Sequence, residues 1–471
     1  MNVEINLSTE DIIKATSGTL INGDMGIGFK GISTDTRVIK PGYLFFALKG
    51  EKFDGHEFYK DAIEKGAKGL VISRFPKGFK IEEIPKTISI ILVKDTLKAL
   101  GDLASFWRGK LNSIFVAITG SCGKTTTKEL SYNIISKFFK TSKNQANYNN
   151  LIGVPLTLLS IKEDTEVVIL ELGTNQKGEI ERLSQIVKPH ISVITSIYPA
   201  HLEGLSSVEG VLEEKISLFK NTYKDGILIY NFDQEILRKR VEPFSQNKLS
   251  FGFDENADLS IKNLVFSENK IQGEIIFKKS SYLLEIENIG KYNLLNLLAS
   301  LCVAISLKLD LKEIVPLVGK EIPLYKRFKI FEKENFLVID DTYNANPGSV
   351  KAALEFLKEI SKDYEKKIVI LGDMKELGKD SEKFHKEIGS LVAKVADFAI
   401  FIGEMAKSYE EGFKRETQNK NCEIFNSVEE FLEKIPFEKF KEEKAKTNIL
   451  VKGSRALRME RVVEKLYEEL N

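Results

Sequence analysis

An apolar run, Ser113–Thr119, passes directly into Gly-Ser-Cys-Gly-Lys-Thr-Thr at residues 120–126, and no other feature restricts the fold of this chain as much. A buried strand that ends on a glycine-rich turn and opens a helix, here from about Lys124 to Phe139, puts the turn at the carboxyl edge of a sheet. Gly120 and Gly123 let the backbone turn tightly and aim its N–H groups at phosphate oxygens. Lys124 would neutralise β- and γ-phosphates, and the Thr125 hydroxyl would ligate Mg²⁺. Ile118 stands where the strict phosphate-loop pattern has its first glycine, so the loop is a shorter variant. Gly120, Ser121, Cys122, Gly123, Lys124, Thr125 and Thr126 are the expected nucleotide-binding residues. Cys122 reads as a small tolerated side chain, because no His or Asp is placed to activate it as a nucleophile.

The same alternation of strand and helix runs through most of the chain. Strands are predicted at Glu166–Glu171, Ile191–Ile197 and Gly226–Tyr230, then at Phe336–Asp340, Lys367–Gly372, Phe398–Gly403 and Asn448–Lys452. A helix is predicted to start at the N-cap Asp95, with Leu97, Leu100, Ala104 and Trp107 on one face. Ahead of it, a helix over His56–Gly66 and a strand over Gly69–Ser73 make a small unit. The chain is expected to be α/β with three domains: residues 1–94, a small α/β unit; 95–322, a phosphate-loop domain with a mostly parallel sheet; and 323–471, a second doubly wound domain. A length of 471 residues accommodates them.

Composition narrows the function. Lys and Arg total 69 against 68 Asp and Glu, which gives no overall attraction to nucleic acid or an anionic membrane. The N-terminus lacks a basic segment followed by an apolar core, and no apolar run approaches the ~20 residues of a membrane helix. Cys122, Cys302 and Cys422 make neither a metal-ligand spacing nor a disulfide framework, so a cytoplasmic location is expected. Glu171, at the end of a buried strand beside glycine, suits a Mg²⁺ ligand. His201, just past another strand end, is a second candidate. A GTPase base-reading motif, Asn-Lys-x-Asp, does not occur.

Taken in order, STDTR (33–37), TGSCGKTTTKE (119–129), NYNNLIGVPLTLL (147–159), ELGTNQKGEI (171–180), AHLEGLSSVEGVLEEKISLF (200–219), DDTYNANPGSVKAAL (340–354), LGDMKELG (371–378) and VKGSRALRME (451–460) resemble the Mur ligase family over nearly the whole chain. The resemblance implies ATP-dependent ligation through an acyl phosphate, with UDP-N-acetylmuramoyl-tripeptide and D-alanyl-D-alanine as substrates, ATP and Mg²⁺ as cofactors, and a monomer. It implies that Lys124, Glu171 and His201 are catalytic. Lys215, carbamylated, would join Thr125, Glu171 and His201 around the metal. Asn296, Arg327 and Asp341 would hold the nucleotide, with Tyr292 where the family usually has His. Tyr343, Asn344 and Asn346 would line the junction of ATP and the amino substrate, and Lys452, Ser454 and Arg455 would suit a carboxylate or phosphate. Ser33, Asp35 and Arg37 are the candidates for the UDP-sugar, with Asn147 and Asn150 nearer the sugar, although Asp35 and Arg37 could equally form a local salt bridge. The Asp-Asn-Pro-Arg signature of the diaminopimelate- or lysine-adding enzymes is missing.

Overall fold

A computed structural model describes residues 2–145, 147–267, 270–287, 289–325, 328–333, 335–361, 364–417, 419–434 and 445–470. Three sheets follow one another along the chain. The first contains β1 (Asn2–Ser8), β2 (Thr19–Asn22), β3 (Gly28–Ser33), β4 (Tyr43–Phe46), β5 (Gly69–Ile72) and β6 (Ser89–Leu92) in the order β1-β3-β4-β5-β6-β2. Its four inner strands are parallel and its two edges antiparallel. Segment 56–66, expected as one helix, is a 3₁₀ turn at Gly55–Phe58 followed by the short helix Tyr59–Glu64, because the Asp54 carboxylate accepts the His56 N–H and starts the tighter turn.

The second sheet comprises β7 (Ile114–Thr119), β8 (Thr141–Lys143), β9 (Val167–Glu171), β10 (Ile191–Ile194), β11 (Ile227–Asn231), β12 (Asn247–Gly252), β13 (Leu259–Phe266), β14 (Lys270–Phe277) and β15 (Ser280–Glu287). Their order is β15-β14-β13-β12-β11-β10-β7-β9-β8. From β7 the chain crosses to β8 and β9 on one side, and β10 lies on the other. That reversal opens a crevice at the carboxyl ends of β7, β9 and β10, where ligands bind in such sheets. The antiparallel extension β13–β15 was not expected from the sequence. Its alternating pattern buries Ile261, Ile271, Ile275, Leu284 and Ile286 in one core with the helix Lys291–Ser306.

The third sheet runs β16-β17-β21-β18-β19-β20, built from β16 (Lys329–Lys333), β17 (Phe336–Asp341), β18 (Lys366–Gly372), β19 (Phe398–Ile402), β20 (Asn421–Phe425) and β21 (Thr447–Lys452). All its neighbours are parallel except β16 with β17. Inserting the last strand, β21, between β17 and β18 places Lys452 beside Asp341 in register. Asp95 caps the helix Thr96–Arg108 by accepting the Lys98 N–H at 2.8 Å. Of the face expected for that helix, Leu100 and Ala104 are buried and Trp107 is half-buried against the core, Ala99 and Leu103 are buried beside them, and Leu97 is exposed. The helix after the glycine-rich turn stops at Ile135, short of Phe139, because the chain turns there to enter β8. One apolar cluster is continuous from β1 through this middle region to β17 and β18. No described helix is long and apolar enough to cross a membrane.

Candidate active site

The turn between β7 and the helix Lys124–Ile135 has the geometry its glycines foretold. Gly120 has φ 152° and Gly123 φ 85°. A Cβ at Gly120 would lie 1.9 Å from Thr195 Oγ1, and one at Gly123 2.2 Å from Asn296 Oδ1. The loop is braced from the segment that follows β10: Ser121 N–H donates to the Ser196 carbonyl at 2.8 Å, Cys122 N–H to Ser196 Oγ at 3.0 Å, and Ser121 Oγ to the Tyr198 carbonyl at 2.9 Å. Lys124 Nζ folds back to the Gly120 carbonyl at 2.9 Å. The amino end of a twelve-residue helix adds a partial positive charge at the mouth of the loop.

Facing this loop is a cavity of about 510 Å³. From the central sheet it is lined by Ser121 to Thr126, Glu171, His201 and Asn296. From the C-terminal sheet come Asp341, Tyr343, Asn344, Asn346 and Lys452. Asn147 and Asn150 stand on its rim, and Phe328 and Phe356, with ring centroids 4.6 Å apart, close its apolar end. The structure therefore brings most of the sequence-predicted residues to one space between two domains. Cys122 Sγ meets Asn346 Oδ1 at 3.2 Å across it.

Within that space each polar group is held by local structure. Glu171, the last residue of β9, is buried; its backbone N–H donates to Asn144 Oδ1 at 2.9 Å and its carbonyl accepts Asn144 Nδ2 at 2.9 Å. Glu171 Oε1 accepts Asn149 Nδ2 at 2.8 Å, while Oε2 is buried without a hydrogen-bond partner and lies 3.9 Å from Lys128 Nζ. A buried carboxylate oxygen without a hydrogen bond, offset only by a lysine at 3.9 Å, is costly, and a closer cation would relieve it. Among the described residues no three His, Cys, Asp or Glu side chains converge as a metal cage. Lys452, 2% exposed, donates to Asp341 Oδ2 at 2.6 Å and to the Asn344 carbonyl at 2.9 Å. Asn346 caps the helix Pro347–Ile360 by accepting the Ser349 N–H.

Lys215 lies in the helix Val208–Lys220, 1% exposed. Burial, and then the charge of Lys124, push its amine down to about 7. Its neighbour Glu214 accepts the N–H groups of Gly178 and Ile180, both at 2.7 Å. Lys215 itself is not among the residues lining the cavity, but the helix that carries it thereby anchors the segment bearing Thr174, Asn175 and Glu179, which are. His201, at φ 53°, sets its Nδ1 2.5 Å from Glu376 Oε2 of the C-terminal domain, and this contact holds the Glu376 carboxyl below the usual range.

Other expected residues lie elsewhere. Ser33 ends β3 and Asp35 and Arg37 follow it, outside the cavity lining; Asp35 and Arg37 form an ion pair at 2.7 Å, and the Arg37 side chain is 85% exposed. That hydrogen bond holds the Asp35 carboxyl at about 2. Ser454 is buried away from the cavity, accepting the Lys375 N–H at 2.8 Å and donating to the Ala345 carbonyl at 3.4 Å. Arg455 is exposed, 5.9 Å from the Tyr343 ring and 3.5 Å from Glu460. Arg327 lies outside the described residues. Asn149, Asn144, Lys128, Tyr198 and Glu376 were not anticipated. The first was flanked by two residues that were, and Glu376 sits in the LGDMKELG segment whose role its sequence left unassigned. Tyr292 lines the cavity beside Tyr198, and burial pushes both phenols up.

A phosphate loop in one domain, facing a lysine and carboxylates in the next, defines a nucleotide-dependent enzyme whose site is shared between domains. Residues 28–108 match the Mur ligase family catalytic domain, 118–304 the Mur ligase middle domain, and 326–455 the Mur ligase glutamate ligase domain. The chain belongs to the Mur ligase family. It is 32% identical over 468 residues to the UDP-N-acetylmuramoyl-tripeptide–D-alanyl-D-alanine ligase of Bacillus subtilis, covering 98% of this chain and 99% of that one. Its fold is similar to a crystal structure of MurF from Acinetobacter baumannii, with TM-score 0.89, 28% identity and 99% of each chain covered. It is also similar to the MurF ligase of Thermotoga maritima in complex with ADP, with TM-score 0.81, 30% identity, and 93% and 97% covered.

Proposed function

We propose that this chain joins D-alanyl-D-alanine to UDP-N-acetylmuramoyl-tripeptide at the expense of ATP, as a cytoplasmic monomer. The observation that carries the reading is the single cavity between the phosphate loop and the Asp341–Lys452 wall, in a chain that is similar over its whole length to ligases of that name. A free carboxylate is a poor electrophile at neutral pH. ATP transfers its γ-phosphoryl group to the tripeptide carboxylate, giving an acyl phosphate and ADP. The dipeptide amine then attacks the acyl carbon, the amide bond forms, a proton leaves the nitrogen, and phosphate departs.

The protein's task is positioning and charge neutralisation. Lys124 and the N–H groups of residues 120–126 hold the phosphates. Glu171, with its unpaired oxygen, fits a divalent cation, and Thr125, His201 and carbamylated Lys215 complete the proposed set. Bound Mg²⁺ would neutralise charge on the phosphate oxygens. Lys215 suits the modification because an amine held near pH 7 is substantially neutral, and only a neutral amine adds to carbon dioxide. Asn296 and the apolar end at Phe328 and Phe356 suit the nucleoside, with Asp341 near the ribose. Tyr343, Asn344, Asn346 and Lys452 face the amino substrate, with Arg455 at the edge. In the proposed division, residues 1–94 hold the UDP group through Ser33, Asp35 and Arg37, with Asn147 and Asn150 toward the sugar; 95–322 hold ATP; and 323–471 close over both. Closure excludes water that would hydrolyse the acyl phosphate.

The test is phosphate release with ATP, Mg²⁺, UDP-N-acetylmuramoyl-tripeptide and D-alanyl-D-alanine, each omitted in turn, with the product mass measured in parallel. Release that needs both substrates, with a product heavier by one dipeptide unit, is expected. Release that ignores the dipeptide but answers to a single amino acid would overturn the substrate assignment.

A further inference from the structure

Two non-glycine residues with left-handed backbone meet across the junction of the central and C-terminal domains: His201 at φ 53° and Glu376 at φ 67°. Left-handed backbone is unfavourable for a residue with a Cβ and persists where its surroundings fix it. Around Glu376 that fixing is extensive. Met374 and Leu377 are buried on either side. Met374 N–H donates to His385 Nε2 at 3.0 Å, and His385 Nδ1 donates to the Ser381 carbonyl at 2.6 Å. Asp373 accepts the N–H groups of Glu404 and Met405, both at 3.0 Å. The loop is built by the C-terminal domain alone, and it extends Glu376 to His201 Nδ1 at 2.5 Å. The Glu376 carbonyl also accepts the Glu203 N–H, at 3.4 Å.

We propose that Glu376 is a positioning residue: from the C-terminal domain it fixes the orientation of the His201 imidazole in the nucleotide cavity. A carboxylate 2.5 Å from Nδ1 pairs electrostatically with that edge of the imidazole and restrains the ring, and a ligating imidazole held in one orientation is a stronger ligand. Because the two residues belong to different domains, His201 is aligned only while the C-terminal domain is docked. Domain docking and assembly of the site thus become one event. The inference rests on the nucleotide-binding reading above.

The test uses the full-length chain and four variants: Glu376→Ala, Glu376→Gln, which keeps the shape without the charge, His201→Ala, and Glu376→Ala combined with His201→Ala. Mn²⁺ binding to the ADP complex is followed by electron paramagnetic resonance, and the interdomain distance by fluorescence energy transfer without ligands. Glu376→Ala is expected to weaken Mn²⁺ binding by about 10- to 100-fold and to shift the distance distribution toward separated domains. Glu376→Gln should fall between it and the parent, and the double variant should be no weaker than His201→Ala alone. Unchanged Mn²⁺ affinity and distance in a folded Glu376→Ala protein would overturn the proposal, as would losses that add in the double variant. ADP affinity without divalent metal reports on the phosphate loop by itself. An equal loss there in Glu376→Ala would mean general damage and also overturn it, whereas a parent chain that binds no ADP would remove the nucleotide reading and leave the distance measurement to judge the contact.

Discussion

Replacing Glu214 tests whether the helix that carries Lys215 also organises the cavity. The carboxylate is 4% exposed and accepts the Gly178 and Ile180 N–H groups at 2.7 Å each, with Thr174 Oγ1 at 3.3 Å. Each bond is charge-assisted, the Ile180 one buried and the Gly178 one partly so, and each is worth about 1.5–3 kcal/mol. Glu214→Ala leaves both donors without a partner, so a loss of about 3–5 kcal/mol is expected from the two together. For a domain of this size each kcal/mol lowers the melting temperature by about 2–4 °C, and the transition should fall by roughly 10 °C. Glu214→Gln has one carbonyl oxygen and turns its NH₂ toward the other donor, so it should lose more than half as much. Hydrogen exchange localises the effect: at about 1.4 kcal/mol per decade, the Gly178 and Ile180 amides should exchange on the order of 10²-fold faster in Glu214→Ala. Activity should drop below the melting transition, because Thr174, Asn175 and Glu179 ride on the released loop. A Glu214→Ala protein that melts like the parent, with those two amides still protected, would refute the reasoning.

Three further outcomes are expected. Gly123→Ala should remain folded yet lose at least tenfold in ADP affinity by calorimetry, since its Cβ would meet Asn296 Oδ1 at 2.2 Å and φ 85° disfavours a side chain. Lys215→Ala should lower kcat by about 10²-fold or more with acetate restoring part of it, in keeping with a role as an oxygen ligand; near-parental turnover would remove Lys215 from the site. In the first domain burial pushes the Asp54 carboxyl up, but hydrogen bonds from the His56 N–H, the His56 ring and Arg74 outweigh it and hold the group at about 2. A depressed acid stabilises the fold above its ordinary range near 4 and loses that contribution as pH falls toward 2, so Asp54→Asn should cost about 1–2 kcal/mol at pH 7 and much less at pH 2.5 in urea titrations.

Much of this was legible in the sequence because periodicity and glycine placement are local. The phosphate loop, the parallel strands and the ends on which Glu171, Asp341 and Lys452 sit follow from runs of a few residues. The β13–β15 extension was less legible, since short alternating strands with exposed Val265 and Leu283 carry a weak signal and owe their burial to a helix that comes later in the chain. Ser454 was assigned to the site by its neighbours in VKGSR, but the turn after Lys452 directs its hydroxyl to the Lys375 N–H. The Asp35–Arg37 pair, foreseen as an alternative, is satisfied locally, and ligand binding there would have to compete with it.

What no local pattern can announce is a partner far away in the chain. Asn149 reaches Glu171 and Asn296 accepts from Thr127, just past the phosphate loop, within the central domain, and Glu376 reaches His201 from the C-terminal domain, across 22, 169 and 175 positions respectively. Each of these polar contacts reaches the cavity wall, and each orients a group that sequence alone had placed correctly on its own element. The division follows from chemistry. A phosphate-binding turn can be made by one strand and one helix, but protecting an acyl phosphate from water requires walls from two bodies. A site built that way keeps its anion-binding half legible in one segment and distributes the orienting half over the fold, which is why the residues that the structure added are almost all hydrogen-bond partners.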